Sequence, residues 1–344
     1  MSIPLAQTSV VHLAARAGSL ARDVALVPPV ALAPLAGITD LPFRELVLSF
    51  GAGWVVSEMV ATGELLTHRP GVREKTALGL GQAKTAVQIA GRDPRLMAEA
   101  ARIIADLGAV LIDINMGCPA KKVVGGMSGS ALLREPDLAL RLIEAVTGAV
   151  DVPVTLKTRL GWDDDCLNAP DIARRAEGAG IRMITIHGRT RQQFYKGRAD
   201  WSAIAAVRAA VTIPVIANGD ILGPADAAEA LRLSGAAGVM VGRGVQGAPW
   251  VLAEIAHALH GTPAPVVPKG DALVDLVMRH HTGMLSFYGT ELGLKVARKH
   301  LGWYMDRAGT PPVLRGAVLT ASSPAVVHGL LPDAILCDPM EQAA

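Results

Sequence analysis

Cys118 sits where a short apolar strand pattern, LIDINM, gives way to Gly117, Cys118 and Pro119, followed by a glycine-rich loop carrying Lys121 and Lys122. The proline fixes the backbone beside the thiol and the glycine frees it. At the carboxyl end of a buried strand, that arrangement offers a sulfhydryl to a ligand. An isolated cysteine is read as a small apolar core residue. One framed by Asn115, Gly117 and Pro119 and followed by two lysines is a candidate for acid–base or nucleophilic work, to be placed by geometry.

Other chemistry-bearing residues close further strand-like runs: Glu58, Gln88, Lys157, Arg159, His187, Asn218, Asp220 and Arg243. Singly each is an ordinary strand-end residue. Together they converge if the strands do. Asn218-Gly219-Asp220 and Gly242-Arg243-Gly244 follow the last two runs, with glycines that admit a phosphate to backbone N–H groups and an arginine fork that matches it. Lys157 lies in an apolar stretch, where a cation is costly unless it meets an anion. A flavin mononucleotide answers all of these together. Its phosphate would lie on the last two loops, with Lys157 near N1 and O2 of the ring and Gln88 on its pyrimidine edge. His187 is read as a cofactor contact, since no second ligand stands at metal spacing and no metal is expected.

The elements that must position these groups are eight β-rich runs beginning near residues 30, 54, 85, 111, 153, 183, 214 and 238. Most read as near-continuous apolar runs without polar alternation, as expected of parallel strands covered on both faces. Helical patterns at 41–50, 94–108, 136–149, 170–180, 201–211 and 224–234 lie between them. Pro94, Pro136, Pro170 and Pro224 fall near helix starts, and Gly108, Gly180 and Gly235 just past helix ends. Strand and helix alternating eight times predict an α/β fold, a (β/α)8 TIM barrel over residues 29–262. A doubly wound sheet is the alternative, but no GxGxxG follows the first strand.

A proline-rich stretch, TPAPVVPKG, then marks a linker. Residues 263–330 are assigned to a small all-helical domain, with helices read in DALVDLVMRHHTGMLSFYG and ELGLKVARKHLGWYMDRAG, and 331–344 to a tail. Residues 1–28 are expected to be a poorly ordered extension, with a loose helix over 10–25 as the other option. They lack the pattern of a signal peptide.

The 344 residues are 51% hydrophobic but only 3% aromatic, so the core must be aliphatic, and 36 glycines and 22 prolines suit many short connections. A net charge of +2 leaves any nucleic-acid contact to local clusters. Two such clusters stand out. HGRTRQQFYKGRADW, residues 187–201, interleaves Arg189, Arg191, Lys196 and Arg198 with Phe194, Tyr195 and Trp201, a mixture suited to phosphates and stacked bases. Lys295, Arg298 and Lys299 share one helix face. Asp163, Asp164 and Asp165 are read as a solvated loop. Three cysteines suggest neither a disulfide framework nor a zinc site, and fit a reducing cytoplasm. No apolar run reaches the roughly 18 residues of a membrane span.

LAPLAGITDLPFR, LIDINMGCP with KKVVGGMSGSALL, LKTRLGW, IHGRTRQQFYKG, IPVIANGDI, VMVGRG and ARKHLGWYM occur in that order. Together they resemble the tRNA-dihydrouridine synthases, most closely the bacterial B-type branch, over residues 30–310. The resemblance implies FMN-dependent reduction of the C5–C6 double bond of specific tRNA uridines, with NADPH as reductant. Hydride would pass from flavin N5 to C6, and Cys118 would protonate C5. It implies flavin contacts from Pro34, Leu35, Ala36, Gln88, Lys157, Asn218, Gly219, Asp220, Gly242 and Arg243, and a uracil contact from Asn115. Arg159, Arg189, Lys295, Arg298 and Lys299 are the further candidates for the RNA, whose D-loop is the expected target. A thiol with an ordinary pKa of about 8.5 is mostly protonated at neutral pH, as a proton donor must be. Lys121 and Lys122 are therefore expected to point towards RNA, away from the sulfur. Two rivals stay open: a flavin barrel acting on a free pyrimidine, like the dihydroorotate and dihydropyrimidine dehydrogenases, and an RNA-binding barrel without redox chemistry.

Overall fold

A computed structural model describes residues 10–337 except 20, 68, 70 and 80–83. Its strands, in chain order, are β1 (Val11–Leu13), β2 (Val24–Leu26), β3 (Val30–Leu32), β4 (Trp54–Val56), β5 (Val60–Ala61) and β6 (Thr85–Ala90). They continue as β7 (Leu111–Asn115), β8 (Val154–Arg159), β9 (Met183–His187), β10 (Val215–Asn218) and β11 (Gly238–Val241). Parallel pairing runs β3-β4-β6-β7-β8-β9-β10-β11 and returns to β3, closing an eight-stranded barrel, with β5 a short addition to β6. The six helical patterns each correspond to a helix, and Gly108, Gly180 and Gly235 all have positive φ at the ends expected of them. Asp40 and Asp93 cap two of these helices, accepting from Phe43 N and Leu96 N at 3.0 and 3.1 Å.

The barrel strands are parallel and buried on both faces, as expected of their largely apolar runs, and their inward positions change character along the barrel. One inward layer is Ala31, Trp54, Ala86, Leu111, Met183, Ile216 and Met240, all buried. Two residues further along, the same faces carry Val56, Gln88, Asp113, Thr185, Asn218 and Gly242, and beyond those Glu58, Asn115 and His187. Thr155, Lys157 and Arg159 extend the series on β8. Because side chains alternate with a period of two, the barrel is apolar at one end and polar at the other.

The apolar end is closed by a segment expected to be disordered or helical. β1 and β2 form an antiparallel hairpin, Val11↔Leu26 to Leu13↔Val24, whose buried face joins the inward layer. Burial of Val11, Leu13, Val24 and Leu26 against the bottom of the barrel ties this segment down, so the loose-helix option over 10–25 is also wrong, while residues 1–9 of the expected extension lie outside the described residues.

The C-terminal domain has four helices among the described residues: Asp271–Tyr288, Thr290–Ala308, Pro312–Thr320 and Pro324–Leu336. The boundary expected at 330 therefore falls inside the last helix, which continues through Pro332. Leu331, Ala334 and Ile335 share a core with Val277, Met284, Leu301 and Met305, which is why the chain stays folded past that point. The domain docks on the first barrel helix, Leu41–Ser49. Leu46 packs against its core, and the rings of Phe43 and His300 lie 4.7 Å apart between centres. No helix among the described residues is long and apolar enough to cross a membrane.

Candidate active site

The polar end opens into a cavity of about 470 Å³. Pro34, Leu35, Ala36, Gln88, Asn115, Cys118, Lys157, Arg159, His187, Asn218, Gly219, Asp220, Gly242 and Arg243 all line it. Strand register explains the convergence: Gln88 pairs with Asp113, Asn115 with Lys157, Arg159 with His187, and His187 with Asn218 around the ring.

Cys118 is held by its own backbone. Asn115 Oδ1 accepts from Gly117 N and Cys118 N at 3.2 and 3.0 Å, and the Cys118 carbonyl accepts from Ser130 N and Oγ at 3.1 and 2.9 Å. Gly129, at φ +60, lets the returning loop pass closely: a Cβ there would stand 2.8 Å from Cys118 O. Lys121 and Lys122 begin the short helix after Ala120 and are both exposed.

Arg159 is 2% exposed, and its Nε and Nη1 donate to Gly117 O, Thr190 O and Phe194 O at 2.8, 3.0 and 2.9 Å. It braces the cysteine loop, and only Nη2 makes no hydrogen bond among the described residues. Burial is the main cause that lowers its pKa to about 10, and neighbouring Arg189 acts in the same direction. Lys157 Nζ donates to Asn218 Oδ1 at 3.0 Å, while Asn218 Nδ2 donates to Met240 O at 2.8 Å. Burial first, then the charge of Arg159, brings the lysine down to about 8, so it remains mostly cationic at neutral pH.

One assignment changes. Arg189, expected on the substrate, is 1% exposed and faces inward to the protein. It pairs with Asp220 and donates to Lys196 O and Gly197 O at 3.1 and 2.7 Å, so its fork is spent folding the 190–200 loop. The Asp220 carboxylate holds Arg189, Arg243 Nη2 at 3.0 Å and Ala199 N at 2.8 Å. Only its backbone N–H remains for an anion. Arg189 Nη1 also approaches His187 Nε2 at 3.3 Å; an arginine only donates, so the imidazole proton belongs on Nδ1. Burial and the charges of Lys157, Arg159, Arg189 and Arg243 keep that ring neutral.

Tyr195 stands between Arg159 and Arg243, each guanidinium 5.5 Å from its ring centre. Lys295 is exposed and paired with Glu291 at 2.7 Å, and Arg298 is exposed. Lys299 reaches the first barrel loop, its Nζ 2.8 Å from where a Gly37 Cβ would stand. All three cations of this helix face are exposed, and Lys299 also lies beside the first barrel loop. Met59 and Gln246 also line the cavity, and nothing in their local sequence marks them. Asp113 escapes the sequence reading, although a carboxylate inside LIDIN is as anomalous as a lysine inside VTLKT.

A family model described as dihydrouridine synthase matches residues 31–331. The chain belongs to the dihydrouridine synthase family. A probable tRNA-dihydrouridine synthase of Rhodobacter capsulatus is 64% identical over 307 residues, 89% of this chain and 94% of that protein. The tRNA-dihydrouridine synthase B of Vibrio cholerae is 50% identical over 276 residues, 80% and 85% of the two chains. Among solved structures, a 2-naphthoyl-CoA reductase superposes with a TM-score of 0.54 at 13% identity, covering 70% of this chain and 52% of that one, a likeness of fold.

Proposed function

We propose that this chain reduces the C5–C6 double bond of specific uridines in tRNA, with FMN in the cavity and NADPH as the reductant. The observation that carries this reading is the placing of Cys118, Lys157, Gln88 and Asn115 on one cavity whose charged walls are mostly cationic.

The residues fit a flavin phosphate ester. Lys157, Arg159 and Arg243 face the cavity against the single carboxylate of Asp220, itself already paired. Gly242 has only Leu35 and Ala33 near its missing Cβ, at 3.8 and 3.9 Å, so a side chain there would intrude on the cavity's edge. Pro34 to Ala36, Asn218 to Asp220 and Gly242 would hold the cofactor through backbone atoms, with Arg243 and Lys157 matching its negative charge. Gln88 and His187 would meet its polar edges. When bound, the flavin supplies the hydride delivered to C6.

The chain's own residues supply the rest. Cys118 Sγ donates a proton at C5, and Asn115 orients the base while seating the cysteine. The uridine must leave its stack to reach the cavity, at a cost of a few kcal/mol that is lower in an already looped segment, which favours the D-loop. Lys121, Lys122, Arg298 and Lys299 stand outside the cavity, where phosphates would pass. A free-pyrimidine substrate has no need of them. Three unpaired cysteines fit work in the cytoplasm.

The test is product analysis. The purified protein should release FMN on denaturation and, given NADPH and unmodified tRNA, should add two hydrogens to uridines of the D-loop, read by nucleoside mass spectrometry. Release of no flavin, or reduction of free uracil or orotate in preference to tRNA, refutes the proposal.

A further inference from the structure

Asp113 touches no part of the cavity, yet it begins a line of hydrogen bonds that ends at Cys118. It is 3% exposed, on the inward face of β7 directly below Asn115. Thr155 Oγ1 donates to its Oδ1 at 2.7 Å and Gln88 Nε2 to its Oδ2 at 2.6 Å. Gln88 Oε1 accepts from Asn115 Nδ2 at 2.8 Å. Asn115 Oδ1 then accepts from the Gly117 and Cys118 amides at 3.2 and 3.0 Å.

Each side-chain amide has a donating and an accepting end, and turning it over exchanges them. Within this line only one direction is consistent. Asp113 presents an accepting oxygen to Gln88, so the Gln88 NH2 must face down and its carbonyl up. That carbonyl fixes the Asn115 NH2 towards Gln88, and so turns the Asn115 carbonyl to the cysteine loop. Reversing either amide would set acceptor against acceptor or leave a buried donor unmet. Burial drives the Asp113 carboxyl towards its protonated form, but the direction holds in either state. A proton on the Thr155 side leaves Oδ2 accepting, because Thr155 Oγ1 can turn to Ile112 O at 3.4 Å.

We propose that Asp113 is a positioning residue that sets the polarity of the Gln88–Asn115 pair and thereby seats Cys118. Its consequence for turnover rests on the reading of Cys118 as proton donor; its effect on the loop does not.

An asparagine at 113 can offer its NH2 to Gln88, which lets both amides reverse and releases the Cys118 amide. In D113N, hydrogen exchange of the peptide spanning 111–133 should accelerate about tenfold in the flavin-free protein, while the peptide spanning 204–218 exchanges unchanged. Oxidation of the NADPH-reduced protein by tRNA should slow about thirtyfold, with reduction by NADPH within about threefold of wild type. The decisive variant is D113N/Q88E. There the asparagine donates to one oxygen of the carboxylate introduced at position 88, and the other oxygen accepts from Asn115. The original direction is restored with donor and acceptor exchanged. Protection of the 111–133 peptide in the flavin-free protein should recover to within about threefold of wild type.

Wild-type exchange at 111–133 in D113N overturns the proposal. So does a D113N/Q88E protein that fails to fold, or that is no better protected than D113N. If D113N alone does not fold, a folded and protected double variant still establishes the relay. A wild-type protein without flavin or without tRNA turnover removes the proposed function and leaves the exchange result standing.

Discussion

The two ends of the barrel are built by the same strands and differ in almost every other respect. At the closed end the inward positions are Ala, Trp, Leu, Met and Ile, sealed by the β1–β2 hairpin. At the open end, two to four residues later, the inward positions are Gln88, Asp113, Asn115, Lys157, Arg159, His187 and Asn218. The closed end is stabilised by burial. At the open end, polar groups are satisfied by one another in fixed directions, and cations remain in excess. Stability and chemistry are thus separated along the barrel axis, as expected when loops at the carboxyl ends carry function.

If that separation holds, a mutation at one end should leave the other largely untouched. The largest effect is expected for Cys118→Ala. Flavin retention, NADPH oxidation and melting temperature should hold, while transfer to tRNA falls by about 10²- to 10⁴-fold, the range for loss of a general acid. Near wild-type transfer would remove Cys118 from the mechanism. At the other end, Leu13→Ala or Leu26→Ala should cost about 2–4 kcal/mol of stability in denaturant unfolding, with turnover per folded molecule unchanged. A substitution there that lowers turnover without lowering stability would break the separation.

The helical domain is expected to yield first to acid. His300 is pushed down to about 3, by burial and then by Lys299, and His281 to about 4, by burial and then by His328. Both are neutral in the fold, so the unfolded chain binds more protons below about pH 6.5. Their stabilisation is complete above that value and declines as pH falls towards the folded pKa. By pH 5 the His300 contribution should have fallen by about 2 kcal/mol, with a smaller loss at the less enclosed His281. A pH-independent unfolding midpoint for the C-terminal helices between pH 7 and 5 contradicts this. The smallest effect is expected on the exposed helix face. Arg298→Ala should weaken tRNA binding by under about 1 kcal/mol and reduce the salt-dependence slope by about one. An unchanged slope would take that face out of the RNA interface.

How much of this can be read from the sequence follows the same division. Buried parallel strands announce themselves as apolar runs, so all eight can be placed, and polar residues at their carboxyl ends mark the cavity. The hairpin does not announce itself. VHL and VAL are three-residue strands whose only periodicity comes from packing on the barrel. The last two helices are hidden by Pro312, Pro324 and Pro332, which read as breakers; the first two sit in opening turns, where proline is tolerated. The roles of Arg189 and Asp220 cannot be read, because residue type gives charge but not partner. Asp113 is within reach of a sequence reading, since a carboxylate in a buried strand demands donors.

The most direct measurement is a single anaerobic half-reaction. Protein reduced with NADPH is mixed with unmodified tRNA in one experiment and with free uracil or orotate in another, and the flavin absorbance is followed. Rapid reoxidation by tRNA alone, abolished by Cys118→Ala, is the expected result. Reoxidation by the free base, or by tRNA at the same rate without the thiol, would contradict the assignment of this cavity to tRNA uridine reduction.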